Sequence, residues 1–170
     1  MKARILSFAI ALIALFSFED VYAQHPHFNK QNPPSVSVEI VCNGEKSSYY
    51  EITVSGTVYG LGAASGQSAH VEYTYNANFN CYNRGKDAGP VPGQSGNVSG
   101  ETDEKPLDVR NGQAYFSATF TIAGTCKGNA LSSAVTALAL TKLDLVVNGD
   151  QVATPSLITF WDRVVPTTCP

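Results

Sequence analysis

The sequence predicts an all-β fold: an antiparallel, immunoglobulin-like β-sandwich of about seven to nine strands with two disulfides. Three observations carry that prediction. Several stretches alternate apolar and polar residues with a period of two, Asn-Gly pairs and Gly/Pro clusters punctuate them, and the cysteines Cys42, Cys81, Cys126 and Cys169 fall at strand ends or in the tail.

Residues 1–23 have the three parts of a secretory signal: Lys2 and Arg4 at the start, an apolar run over 5–18, and Val21-Tyr22-Ala23 as a small-residue cleavage site. The apolar run is shorter than the roughly 20 residues of a membrane span. The mature chain is expected to begin at Gln24, with no membrane insertion after cleavage. Residues 24–35, with His25-Pro26-His27 and Asn32-Pro33-Pro34, read as a flexible N-terminal leader, and 36–170 as a single sandwich domain.

Residues 36–42 place Val36, Val38, Ile40 and Cys42 on one face and Ser37, Glu39 and Val41 on the other, the pattern of a half-buried strand. Asn43-Gly44 follows, in a connection longer than the tightest hairpin. Residues 49–61 form the next strand, with Ile52, Val54 and Val58 pointing one way. After a small polar loop at 60–68, residues 69–81 put Ala69, Val71, Tyr73, Tyr75, Ala77, Phe79 and Cys81 on the core face and His70, Glu72, Thr74, Asn76, Asn78 and Asn80 on the other. Tyr73 and Tyr75 are assigned to the core edge, because their companions on that face are apolar.

Residues 84–106 form the longest irregular segment, rich in Gly and Pro. Connections of that length in a compact domain carry function or lack structure, and a short strand near 97–102 would relieve the difficulty. Arg84, Lys86, Asp87, Gln94, Asn97, Glu101 and Asp103 are the candidate binding-loop residues. Glu101, Asp103, Glu104 and Asp108 offer oxygen atoms but lack the spacing and glycine of an EF-hand, so the segment reads as a solvated acidic loop and no metal is assigned. Asn97-Val98-Ser99 is an N-glycosylation sequon.

Asn111-Gly112 signals a hairpin ahead of the strand 113–126, whose core face holds Ala114, Phe116, Ala118, Phe120, Ile122, Gly124 and Cys126. Cys81 and Cys126 are each in phase with an apolar face, so they are expected to bond across the core, and elimination pairs Cys42 with Cys169. Residues 137–147 set Ala139, Thr141, Leu143, Leu145 and Val147 on one side and Leu138, Leu140, Lys142, Asp144 and Val146 on the other. The alanines and leucines over 131–143 would also tolerate a helix, but the β-branched end and Asn148-Gly149 before 151–154 favour a hairpin. A last strand at 157–165 contains Trp161, and 166–170 form a tail held by Cys169.

With Cys81, Asn83 and Gly85, then Pro92-Gly93-Gln94, Asn111-Gly112 and Cys126 laid out in that order, the chain over about 60–147 resembles a set of small secreted bacterial proteins. That resemblance implies a β-sandwich and no assigned activity.

Net charge is −3, and the basic residues are scattered, which argues against nucleic acid as a partner. A Ser-His-Asp arrangement is poorly supported, since His70 alone among the histidines lies inside the expected domain, and the sequence has no G-x-S-x-G elbow. The expected function is therefore a secreted, non-catalytic binding or structural role, as a monomer without a cofactor, toward a protein or carbohydrate ligand. Tyr49, Tyr59, Tyr82, Tyr115 and Trp161 are the candidate aromatic contacts. An inhibitor or competition factor acting through 84–106 is the alternative, and a hydrolase ranks last.

Overall fold

The computed structural model describes residues 25–44, 46–62, 66–83, 91–92, 96–126, 131–149, 151–162 and 165. Their strands are β1 (His27–Phe28), β2 (Ser35–Cys42), β3 (Ser48–Tyr59), β4 (Ser68–Asn83), β5 (Val91–Pro92), β6 (Gly96–Glu101), β7 (Lys105–Pro106), β8 (Gln113–Ile122), β9 (Leu131–Val147) and β10 (Gln151–Val152), followed by a 3-10 turn at Leu157–Phe160. No helix among the described residues is long and apolar enough to cross a membrane.

The strands form a 4-stranded and a 6-stranded sheet, antiparallel throughout. In the smaller, β8 takes one edge of β3 and both β1 and β2 take the other, since β8 pairs with every β3 residue from Tyr50 to Tyr59. In the larger, β9 runs along one edge of β4, the short strands β5, β6 and β7 share its other edge, and β10 flanks β9. Apolar side chains from both sheets meet in one core, with Ile52, Val54, Val58, Val71, Ile122 and Leu143 fully buried. Tyr73 of β4 stacks on Phe120 of β8 with ring centroids 4.1 Å apart. Gly100, opposite Tyr73 in the ladder, makes room for that ring: a Cβ there would lie 2.7 Å from the tyrosine oxygen.

Two turns follow directly from their residues. Asn111 and Gly112 adopt φ of 53° and 71°, and Arg110 and Gln113 exchange backbone hydrogen bonds of 2.8 and 3.1 Å across them. Both central residues of this hairpin turn need positive φ, which Asn and Gly adopt at least cost. Asn148 and Gly149 likewise take positive φ, 53° and 84°, where β9 turns into β10, in a connection one residue longer, since Val147 pairs with Gln151.

The expected disulfide is present. Cys81 and Cys126 are bonded with a Cα separation of 5.9 Å, inside the range that two unstrained cysteines require, and they join β4 of the larger sheet to the segment that follows β8 of the smaller. Cys42 is not a free thiol. Its expected partner, Cys169, lies outside the described residues, so one disulfide is described rather than two.

Four expectations are corrected. Among the described residues the strands number ten, because the leader and the 84–106 segment contribute short ones. Far from being a free leader, residues 25–35 are anchored through His27–Phe28, which pair with β3: Phe28 is buried, its N–H donates to the Thr154 carbonyl at 2.8 Å, and its ring meets Phe160 edge-on at 5.8 Å. An apolar side chain that covers the end of a core is ordered by that burial whatever its flanking prolines. The 84–106 segment is irregular only in part: the short strand expected near 97–102 is present as β6, and 91–92 and 105–106 pair with β4 as well. Finally, 157–160 is a 3-10 turn after a cis Thr154–Pro155 bond, and it buries Leu157 and Trp161.

The phase of β9 also differs from simple alternation. The ladder steps from Thr74↔Lys142 to Tyr75↔Leu140 and from Asn78↔Ala137 to Phe79↔Val135, so Thr141 and Thr136 are extra residues on β9. Each bulge resets which side faces the core. Leu143, Leu145 and Val147 are buried as expected, but Leu138 and Leu140, read as pointing the other way, are buried with them while Ala139 and Thr141 are exposed.

Candidate functional site

The outer face of the larger sheet carries the densest group of ionisable side chains among those described. Alternation along β4 points His70 and Glu72 away from the core, whose side is taken by Ala69, Val71 and Tyr73. The ladder then places Glu101 of β6 directly beside Glu72 on one edge and Asp144 of β9 directly beside it on the other. Three carboxylates thus stand in one row across three strands. Like charges directly opposite one another repel, so the row calls for cations.

Lys142 supplies one. Its Nζ lies 2.5 Å from Glu72 Oε2 and 3.9 Å from Asp144 Oδ2. The hydrogen bond from that ammonium, with its charge, holds the Glu72 carboxyl below the usual carboxylate range, and the same pairing raises the Lys142 ammonium above its ordinary value. His70 stands on the opposite side of the row. Its Nε2 is 3.9 Å from Glu72 Oε1 and 3.8 Å from Glu101 Oε2, and the imidazole is mostly buried. Glu72 is therefore shared, one oxygen toward Lys142 and the other toward His70.

Glu101 is fixed at its backbone though its side chain is 72% exposed. Just after it, the Thr102 N–H donates to the Val71 carbonyl at 3.0 Å, and the Val71 N–H donates to Thr102 Oγ1 at 3.0 Å. This reciprocal clamp ties the end of β6 to β4. A shallow cup opens beside the group, bordered by His70, Glu101, Thr102, Asp103, Glu104 and Gly149. With an imidazole nitrogen and carboxylate oxygens at its wall, the cup suits a cation or a basic group.

Of the candidate binding-loop residues, Asn97 and Glu101 lie exposed on β6, and Asp103 is exposed at the cup. Arg84, Lys86, Asp87 and Gln94 lie outside the described residues. Asp108, grouped with the acidic segment by sequence, pairs with Arg110 at 2.8 Å. The aromatic candidates do not form one platform. Trp161 is buried rather than displayed, Tyr49 and Tyr59 sit near opposite ends of β3, Tyr82 is the penultimate residue of β4 with Lys46 6.0 Å from its ring, and Tyr115 stands 66% exposed on β8.

Sequence reasoning put His70 and Glu72 on the polar face of their strand and went no further. The signal it had was the spacing of two. The register that brings Glu101, Asp144 and Lys142 alongside is set by strand pairings at separations of 29 to 72 residues, to which local periodicity is blind. Compared with known proteins, the chain finds no match: no family model, no curated protein and no solved structure matches it.

Proposed function

We propose that this chain is an exported, non-catalytic, immunoglobulin-related β-sandwich module that acts as a monomer and binds a protein ligand along the edge strand β6. One observation carries the reading. Among the described residues β6 pairs with β4 alone, and it presents Asn97, Val98 and Ser99 to solvent, Val98 at 45% exposure. An edge with free backbone groups and an exposed apolar side chain is a template for an added strand.

Other features agree with it. The Cys81–Cys126 bond and the signal-like 1–23 segment support export to an oxidising compartment, where a Cys42–Cys169 bond would form as well. The lane order supports the immunoglobulin-related assignment: β2, β3 and β8 form one sheet, and β10, β9, β4 and β6 the other. In the constant-type immunoglobulin order the fourth strand lies in the sheet of the first, second and fifth. Here its counterpart, β6, has switched to the side of the third. The likeness in motif order to small secreted bacterial proteins fits the same picture. A carbohydrate ligand is less well supported, because the exposed aromatics are dispersed.

An inhibitor acting through 84–106 is a second reading, favoured by the position of Cys81. It is bonded to Cys126 and also faces Val91 in the β4–β5 ladder, so the disulfide braces the base of that segment.

A photo-crosslinking residue placed at Val98, with one at Val152 on the edge strand β10 as control, tests the edge. The reading expects a discrete protein adduct at position 98 and not at 152, and loss of binding to the captured protein in Val98→Asp at unchanged melting temperature. Equal labelling at the two edges, or full binding by the variant, overturns it.

A further inference from the structure

We propose that His70, Glu72 and Glu101 form a site for a first-row divalent transition-metal ion of the zinc class. Unlike the edge reading, this inference needs no protein ligand. His70 Nε2, one oxygen of Glu72 and one of Glu101 all lie within 4.8 Å of one another. A zinc ion bonds such nitrogen and oxygen ligands at about 2.0–2.2 Å, so two ligands on one tetrahedral ion sit roughly 3.4 Å apart. The 3.8 and 3.9 Å separations from Nε2 need to close by a few tenths of an ångström, and the gap between the two carboxylate oxygens, within 4.8 Å, by no more than about 1.4 Å. The exposed Glu101 side chain is free to make that adjustment.

The scaffold favours an ion here for reasons beyond proximity. Two of the ligands are two residues apart on one face of a central strand, and the third is the direct ladder partner of Glu72, so all three are carried by paired backbone rather than by a loop. Functional constellations are held best on such rigid elements. Lys142 already holds Glu72 Oε2, which leaves Oε1 turned toward His70 and fixes the carboxylate plane, the part that outer-shell partners commonly play in metal sites. The row of Asp144, Glu72 and Glu101 carries three negative charges against the single ammonium of Lys142, and a bound dication would offset the remainder.

The donor set also selects the ion. An imidazole with two carboxylates suits zinc, copper, iron or nickel, whereas calcium takes about six to eight oxygen ligands. Three protein ligands leave at least one coordination position open toward the shallow cup. The geometry of such open sites allows a water or an outside donor to complete the sphere.

The test uses tag-free mature protein and the metal alone: Zn²⁺ by calorimetry at about pH 7.5, where imidazole is a neutral ligand, and Co²⁺ by visible absorbance as a probe of nitrogen coordination. One equivalent is expected to bind, with little response to Ca²⁺. Binding should weaken in His70→Gln and in Glu101→Gln by at least the roughly 10- to 100-fold typical of losing an outer-shell partner. It should be unchanged in Asp108→Asn and in the double variant His25→Ala with His27→Ala. Circular dichroism on each variant separates lost ligation from lost folding. Absence of one-equivalent binding in the folded wild type overturns the proposal, as does binding that survives His70→Gln or follows His25 and His27. Because the crosslinks at Val98 do not involve these three side chains, failure here is distinguishable from failure of the edge reading.

Discussion

Strands β8 and β9 line the same core from opposite sheets, yet they keep their phase differently. From Gln113 to Ile122 every second residue of β8 is buried without exception. In β9 the inward set runs Val135, then Leu138 and Leu140, then Leu143, Leu145 and Val147, with exposed pairs at Thr136-Ala137 and Thr141-Lys142. One strand is specified by alternation alone, the other by alternation corrected at two bulges. The outer faces differ in kind as well. Beyond β3 and β8 lie mainly hydroxyls, such as the Thr53–Thr119 bond at 3.0 Å, with one acidic pair where Glu39 of β2 stands beside Glu51, while β4, β6 and β9 carry the row of acids with Lys142 and His70. A face of mainly hydroxyls leans little on counter-ions; a charged row depends on them.

The largest expected effect separates the two strands. Deleting Thr119 from β8 sends every following side chain to the wrong face and should leave the protein unfolded by circular dichroism. Deleting Thr141 from β9 removes the bulge and pairs Leu140 and Lys142 in a regular ladder, so Leu138, Leu140 and Leu143 stay inward. That variant should retain a cooperative melt.

Next comes the inter-sheet bond. Replacing both Cys81 and Cys126 by Ala should cost about 2–5 kcal/mol in denaturant unfolding, since the bond constrains a long stretch of unfolded chain. A smaller loss is expected for Gly124→Ala, because the added Cβ would lie 2.5 Å from the Phe79 ring; overpacking of this kind costs roughly 1–3 kcal/mol.

The charged face should contribute less. Lys142 keeps the Glu72 carboxyl below its ordinary value, so the pair stabilises the fold above that value and the contribution fades as pH falls through the lowered one. On the alkaline side the contribution is present below the ordinary lysine value and is lost as pH rises through the raised one. Both groups are more than a third exposed, and solvent and salt screen them. Lys142→Met is therefore expected to cost no more than about 1 kcal/mol near neutral pH and to flatten the acid limb of the stability profile. Smallest of all is Thr53→Val on the hydroxyl face, at about 0.5 kcal/mol or less by thermal melting.

Where one face of a strand was wholly buried, the sequence could be read through to packing. The inward sets of β3, β4 and β8 and the cysteines at 81 and 126 followed from a period of two. In β9 the leucines are spaced two, three and two, and that central gap of three marks the Thr141 bulge. Alternation counted through Ala139 and Thr141 passes over it, because an alanine fits a core as readily as a surface. In the 84–106 segment only the length of the connection pointed to a strand near 97–102, for a related cause. Edge strands need apolar residues on neither face, so Gly96–Glu101 joins β4 without a hydrophobic pattern.

The sequence by itself determined the all-β class, the faces of β3, β4 and β8, the Asn-Gly turns and the Cys81–Cys126 bond, all of which rest on spacing within one stretch of chain or on the phase of two. Only the tertiary structure decided the strand order, the ordering of the leader against Thr154 and Phe160, the turn that buries Trp161, and the meeting of His70, Glu72, Glu101 and Lys142. Those depend on which strands pair and in what register, and register is chosen by the packing of the whole core rather than by any residue's neighbours in sequence.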